Sequence, residues 1–397
     1  MVLYTYRFRL YPNAEQEAFL KQEFGNMRYV YNYFLAYATE MYRKHKKPYN
    51  YLELSKQLTK LKKEKTFLQS SNSQSLQASL RHLDSAFKGF FEKRTGFPKF
   101  KKKGTDDSVV IPMQSNNIKI MELNDKYSLL KIPKLKSLIK FRKHREIFGK
   151  IKRVTIVRTS TNEYYVNILV EREIEAFEST NKSVGIDVGL KDFCTLSDGT
   201  KIINPRRFEL QLKRIRRLHR SLSRKKKGSK NREKAKAKLA RAYAKLANLR
   251  KDMLHKLSYT IVKQNDYIFV EDLNVKEMLQ NKYLSRSIAD ASWRMFINFL
   301  EYKSKWYGKT FAKIDRFFPS TKKCSQCGFV KSEMKLYERV FRCPKCGLEI
   351  DRDLNASYNI LQEGLRQLGM EQAEVMPTEG SQEPGEVGSQ VYSASCA

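Results

Sequence analysis

The chain has 397 residues, room for two to four domains at roughly 150 residues each, and 41% of it is apolar, enough to bury real cores. Lys and Arg number 78 against 42 Asp and Glu, a net charge of +36 that repels itself unless a polyanion neutralises it. Nucleic acid is the default polyanion, an enzyme of neutral small molecules fits poorly, and no apolar run approaches the roughly 18 residues of a membrane helix. The opening Met1-Val-Leu-Tyr-Thr-Tyr-Arg7 lacks the apolar stretch of a secretory signal, so a cytoplasmic protein is expected.

Tyr4 to Leu10 alternates apolar and polar positions, the pattern of a half-buried strand, and Pro12-Asn13 breaks it. Asn13 with Gln16 three positions on forms a reciprocal helix start. Helical spacing then runs to about residue 94, through Phe19, Leu20, Phe24, Met27, Tyr31 and Phe34; the tyrosines from Tyr29 to Tyr42 read as core rather than as a base-stacking platform. Residues 96–108 set Phe97 and Phe100 among four lysines, which suits either a nucleic-acid backbone or a solvated basic loop. Short strands follow at close spacing from 109 to 175, including Ile118–Met121, Val154–Arg158 and Tyr164–Val170. With the N-terminal strand they could close a small β-barrel that is discontinuous in sequence.

From Val184 to Leu190 runs a buried strand, followed by a Ser197-Asp-Gly-Thr200 turn and Lys201–Ile203, predicting a hairpin. Residues 206–256 hold 21 Lys/Arg and three acids, half of the chain's surplus. Leu239, Tyr243, Leu246, Leu249, Met253 and Leu257 at helical spacing, with a turn at Lys225–Asn231, predict a helical hairpin with one packed face and the rest in contact with nucleic acid. Tyr267–Leu273 reads as a strand and Ser292–Trp306 as a helix. Residues 371–397, with five Glu and no Lys or Arg, read as a disordered acidic tail.

Two constellations carry chemistry. Cys324-Ser-Gln-Cys327 and Cys343-Pro-Lys-Cys346 stand fifteen residues apart, so each turn offers two thiolates and the pair completes a tetrahedron around a soft cation, Zn²⁺ ahead of the competing iron–sulfur cluster. Four protein ligands leave no open position, which makes such a zinc structural. Of the two remaining cysteines, Cys194 reads as core and Cys396 as a tail thiol. The second constellation is three acids: Asp187 inside an apolar strand, Glu271 ending another, and Asp353 opening a helix over Asp353–Leu361. A carboxylate in an apolar strand is costly unless compensated. Three of them converging would offset the charge of a pair of Mg²⁺ ions and suit two-metal phosphodiester hydrolysis. Their order along the chain is that of RNase H-like nucleases.

Read together, Tyr6-Arg-Phe-Arg-Leu-Tyr-Pro12 with Glu15-Gln16, Gly96-Phe-Pro-Lys-Phe-Lys-Lys-Lys103, Gly185-Ile-Asp-Val-Gly-Leu190, Val270-Glu-Asp-Leu273, the two CxxC pairs and Asp351-Arg-Asp-Leu-Asn-Ala-Ser357 resemble the TnpB family of transposon-encoded RNA-guided DNA endonucleases, related to type V CRISPR effectors. The likeness runs in order from residue 4 to about 365. It implies a multidomain α+β protein: a β-barrel wedge domain at 1–11 and 96–181, a helical recognition domain at 12–95, a RuvC-like nuclease domain at 182–318 and 349–370, and a zinc ribbon at 319–348.

The resemblance maps the catalytic, Mg²⁺-binding trio onto Asp187, Glu271 and Asp353, with Asp351 in a supporting role at most, and zinc onto Cys324, Cys327, Cys343 and Cys346. It implies a monomer bound to a transposon-derived guide RNA, cutting double-stranded target DNA beside a short transposon-adjacent motif while base pairing reads the rest. Nucleoid association goes with that role. The competing readings are a non-catalytic nucleic-acid-binding regulator of transposition and a three-carboxylate transposase. A transposase using a tyrosine nucleophile needs a His-x-His pair, which His45, His82, His144, His219 and His255 do not offer.

Overall fold

In the computed structural model residues 1–46, 50–105, 107–113, 117–203, 206–274, 292–335 and 337–370 are described, and the expected acidic tail with Cys396 lies outside them. The chain divides into two units, Met1–Glu173 and Ile174–Ala397.

In the first unit, β1 (Val2–Tyr11) buries Tyr6, Phe8 and Leu10 and exposes Arg7, as its alternation predicts. Asn13 starts α1 (Ala14–His45): its Oδ1 accepts from the Gln16 amide at 2.8 Å, and Gln16 Oε1 accepts from the Asn13 amide at 3.0 Å. The predicted helical stretch divides into α1, α2 (Tyr51–Glu64), a 3₁₀ turn (Thr66–Ser70) and α3 (Ser73–Phe91). The tyrosines divide too, Tyr31 being buried while Tyr33 and Tyr42 are exposed.

Strands β2 (Ser108–Pro112), β3 (Lys119–Asn124), β4 (Tyr127–Lys131), β5 (Ile139–Arg142), β6 (Lys150–Arg158) and β7 (Tyr164–Arg172) join β1 in one antiparallel sheet of order β2-β6-β7-β1-β5-β4-β3. The N-terminal strand is thus central, with Phe8 opposite Val166 and Leu10 opposite Phe141. Where a barrel is expected, the strands form a curled sheet whose end strands β2 and β3 do not pair with each other among the described residues.

The second unit carries β8 (Ser183–Val188), β9 (Asp192–Leu196), β10 (Lys201–Ile203), β11 (Tyr267–Glu271) and β12 (Thr310–Ile314), ordered β10-β9-β8-β11-β12. The predicted hairpin is a three-strand meander, because β9 inserts between the two predicted strands and pairs with both. Strands β8, β11 and β12 run parallel. The basic hairpin is present as α4 (Arg206–Ser223) and α5 (Lys230–Gln264), whose turn is tied by the Arg232 guanidinium to the Leu222 and Lys225 carbonyls. Leu239, Leu246 and Met253 are buried along α5 while most of its Lys and Arg stay exposed. Helix α6 (Trp293–Trp306), the short pair β13 (Val340–Arg342) and β14 (Glu349–Asp351), and α7 (Arg352–Gln367) complete the unit.

Two glycines let α7 lie directly on the sheet. A Cβ on Gly185 of β8 would stand 2.2 Å from the Ser357 carbonyl oxygen, and one on Gly364 of α7 would stand 2.1 Å from the Phe269 ring. Any side chain at either position would push the helix away.

Candidate active site and metal centre

Ile186 of β8 lies opposite Val270 of β11, so Asp187 and Glu271 follow one residue later at the carboxyl ends of adjacent parallel strands. Open α/β sheets present their ligand sites at such ends. Asp353 comes from the first turn of α7, the helix seated on Gly185. Asp351 is the cap of that helix: its Oδ1 accepts from the Asp353 and Leu354 amides at 3.0 Å each, while Oδ2 takes the Lys201 ammonium at 2.7 Å. Its carboxylate is committed to shaping the turn that carries Asp353.

The three acids share one electrostatic field. Burial, then the charges of Glu271 and Asp353, push the Asp187 carboxyl well above the usual range, against a smaller pull from Arg352 and the Val188 amide. Burial likewise raises Glu271, opposed by the hydroxyl of Ser320, which donates to its Oε1. The Arg352 guanidinium holds Asp353, with Nε and Nη2 on Oδ1 at 3.0 and 2.9 Å and Nη1 on the Glu338 carbonyl at 3.0 Å. A buried carboxylate whose proton affinity is raised by two neighbouring carboxylates belongs to a donor set whose repulsion a divalent cation relieves. They do not stand as close as the ligands of one ion; among the described residues only the four cysteines bring three or more such atoms within 4.8 Å of one another.

Those cysteines are Cys324, Cys327, Cys343 and Cys346, with Sγ separations of 3.6 Å between Cys324 and Cys346 and 3.5 Å between Cys327 and Cys343. Gly328 and Gly347 follow the two CxxC turns at φ of 73° and 75°, left-handed values that close each turn. Donor type, number and spacing fit Zn²⁺.

Helix α7 also grips this centre. Asn355 exchanges hydrogen bonds with the Lys323 carbonyl (2.7 Å) and Ser325 amide (3.0 Å), and Asn359 donates to the Ser320 and Lys323 carbonyls at 2.7 and 2.6 Å. The helix that presents Asp353 therefore holds the first cysteine turn and Ser320, the partner of Glu271.

Residues 165–282 match the family described as "Probable transposase", 293–360 match "Cas12f1-like, TNB domain", and 1–47 match "Helix-turn-helix domain". A protein of Streptomyces pristinaespiralis named "Putative RNA-guided DNA endonuclease" is 37% identical over 91% of this chain and 89% of its own length. An Escherichia coli K12 protein, "Putative RNA-guided DNA endonuclease InsQ", is 33% identical over 91% and 92%. The chain belongs to the TnpB family. The fold is shared with Cas12 effectors: the chain of a Cas12f1-sgRNA-target DNA complex matches at TM-score 0.62 and 15% identity, covering 90% of this chain and 98% of that one. The mini-RNA-guided endonuclease CRISPR-Cas_phi3 matches at 0.52 and 10%, over 92% of each.

In this TnpB-family chain the segment matched as helix-turn-helix is β1 followed by the single long helix α1. Sequence reasoning passed over Ser320, Arg352, Asn355 and Asn359. Arg352 and Asn355 stand inside the quoted Asp351–Ser357 motif, and Asn359 lies one helical turn beyond Asn355, a spacing that places both on one face. Ser320 carries no such signal, since its partner is 49 residues away.

Proposed function

We propose that this chain is a transposon-encoded, RNA-guided DNA endonuclease that cuts double-stranded DNA beside a short transposon-adjacent motif, in the cytoplasm and on the nucleoid. The observation that carries the reading is the convergence of Asp187 and Glu271 at neighbouring strand ends with Asp353 on the facing helix turn. Support also comes from the relatives named as RNA-guided DNA endonucleases and from the Cas12f1 fold likeness.

In this reading Asp187, Glu271 and Asp353 hold Mg²⁺, two ions in all, within a RuvC-like domain at 182–318 and 349–370. A ribbon at 319–348 holds structural Zn²⁺ on Cys324, Cys327, Cys343 and Cys346. We assign 1–11 and 96–181, built on the curled sheet, as the wedge domain and 12–95 as the helical recognition domain. Bound at the trio, Mg²⁺ supplies an activated water and charge stabilisation for the departing oxygen. The chain's own groups do the positioning: Asp351 sets the helix turn, Ser320 orients Glu271, and Arg352 holds Asp353. The basic α4–α5 hairpin offers a track for a strand or for the guide RNA, and a monomer with one guide is the expected particle.

The test is reconstitution with the RNA transcribed beside the gene and a plasmid carrying the matching target. Guide-directed cleavage that requires Mg²⁺ supports the reading, and guide-independent nicking or none at all overturns it. A regulator that binds without cutting would retain target binding and never cleave.

A further inference from the structure

We propose that residues 96–103 form a docking strap for an unpaired stretch of nucleic acid, with Phe97 and Phe100 stacking on bases and Lys99 and Lys103 meeting phosphates. The sequence leaves this segment open between a solvated basic loop and a nucleic-acid contact, and the structure separates the two. A solvated loop is free to move, whereas this backbone is anchored. Asn32 of α1 donates from Nδ2 to the Lys101 carbonyl at 3.0 Å and accepts from the Lys101 amide on Oδ1 at 2.8 Å, pairing with it as a neighbouring strand would. The Lys101 ammonium sits 4.3 Å from the centre of the Tyr31 ring, and Pro98 is buried. Phe97 stands edge-on to Phe87 and Phe90, at 5.8 and 5.3 Å between ring centres.

Held in this way, the segment leaves its other large side chains outside. Phe97 is 47% exposed, Phe100 58% and the neighbouring Phe91 61%. Phe100 touches no other ring, and neither Lys99 nor Lys103 has an acidic partner among the described residues. Two exposed phenylalanines on one anchored stretch, with Phe91 exposed at the end of α3, are apolar surface that a lone chain seldom keeps uncovered. A purely apolar partner would leave the lysines between them unneutralised. A single-stranded nucleic acid answers both, since bases stack on aromatic faces and phosphates meet cations along the same strand. Fixing the rings in advance lowers the ordering cost of the contact. The inference rests on the proposed reading only for the class of partner, and its test requires no cleavage.

The experiment uses the full chain carrying Asp187→Ala and a 15-nucleotide RNA with 5-iodouridine, which crosslinks on irradiation to an aromatic ring it stacks on, alongside an abasic RNA of equal length. Crosslinks are expected on the peptide spanning 96–103. Phe100→Ala should remove them and weaken binding about fivefold or more, with Phe100→Trp restoring both. Changing Lys99 and Lys103 to Gln should reduce the salt slope of binding by about 1.4, two phosphate contacts of a single strand. Among the described residues Phe100 packs on no other ring, so its replacement should fold, and unchanged circular dichroism checks this. Crosslinks confined to other peptides, or equal affinity for the base-bearing and abasic RNAs, overturn the proposal. Capture of a protein in place of RNA would overturn it too. Because guided cleavage by the unaltered chain is scored separately, loss of one reading leaves the other standing.

Discussion

Asp187 and Glu271 each stand one residue beyond the Ile186–Val270 pair of two adjacent parallel strands, so the sheet itself sets the two carboxylates side by side. Sequence separates them by 84 positions, yet neither depends on a loop for its placement. Exchanging either for its amide, Asp187→Asn or Glu271→Gln, keeps shape and removes charge. Each should lower guided cleavage on the order of 10⁴-fold while target binding by the ribonucleoprotein stays within about twofold of the parent, as should Asp353→Asn. Gel-shift and single-turnover cleavage on the same preparations separate the two quantities; a variant that cuts at the parent rate removes that residue from the trio.

The cysteine centre and the carboxylate helix are one mechanical unit through Asn355 and Asn359. Stripping zinc should therefore lower cleavage even though no cysteine reaches the carboxylates. Asn355→Ala, which replaces no metal ligand, should produce a weaker form of the same loss, roughly tenfold, with about 1–3 kcal/mol of stability removed by the Ser325 amide left unpaired, while the Lys323 carbonyl keeps its bond from Asn359. Zinc content by atomic absorption and melting temperature follow the two effects. Cleavage that survives complete zinc removal would uncouple the ribbon from the nuclease site.

Gly185 has a different role, because the Ser357 carbonyl and Leu361 amide of α7 lie where its Cβ would be. Gly185→Ala must displace backbone, not a flexible side-chain end, so a loss of about 1–3 kcal/mol or more is expected. Displacing α7 also carries Asp353 away from Asp187, so cleavage should fall further than stability alone accounts for. Gly199→Ala, with open space around its Cβ but φ of 87°, is a control that strains a turn without moving α7.

Much of this was legible in sequence because the signals are local. The Asn13–Gln16 cap, the CxxC turns, the basic hairpin and the strand ends bearing Asp187 and Glu271 depend on residues within a few positions of one another. The middle strand of the meander was missed because Gly189 and Leu190, which lead the chain from Val188 into Asp192–Leu196, read as the end of one continuous buried strand. The partners of the acids were missed for another reason. Ser320 meets Glu271, and Asn359 meets Lys323, only once α7 has docked on the sheet. A serine or an asparagine in a loop or helix gives no hint of a partner that tertiary packing will supply.

Glu23 of α1 is buried, and its Oε1 accepts from the Ser71 hydroxyl at 2.6 Å, which in turn accepts from Asn26 Nδ2 at 2.7 Å. Burial pushes its carboxyl up to about 7, the Ser71 hydrogen bond and the charge of Lys134 opposing. The folded form thus holds a proton that the unfolded chain releases near 4.5. The stability this contributes is complete below pH 4.5 and is lost as pH rises through 7, a swing of roughly 3 kcal/mol. The first unit should unfold at lower temperature at pH 8 than at pH 5.5. Glu23→Gln preserves the acceptor for Ser71 and cannot ionise, so it should flatten that part of the profile and raise the melting temperature at pH 8. Calorimetry of both chains at the two pH values is the check, and parallel profiles would show that Glu23 ionises in the folded protein as readily as in the unfolded one.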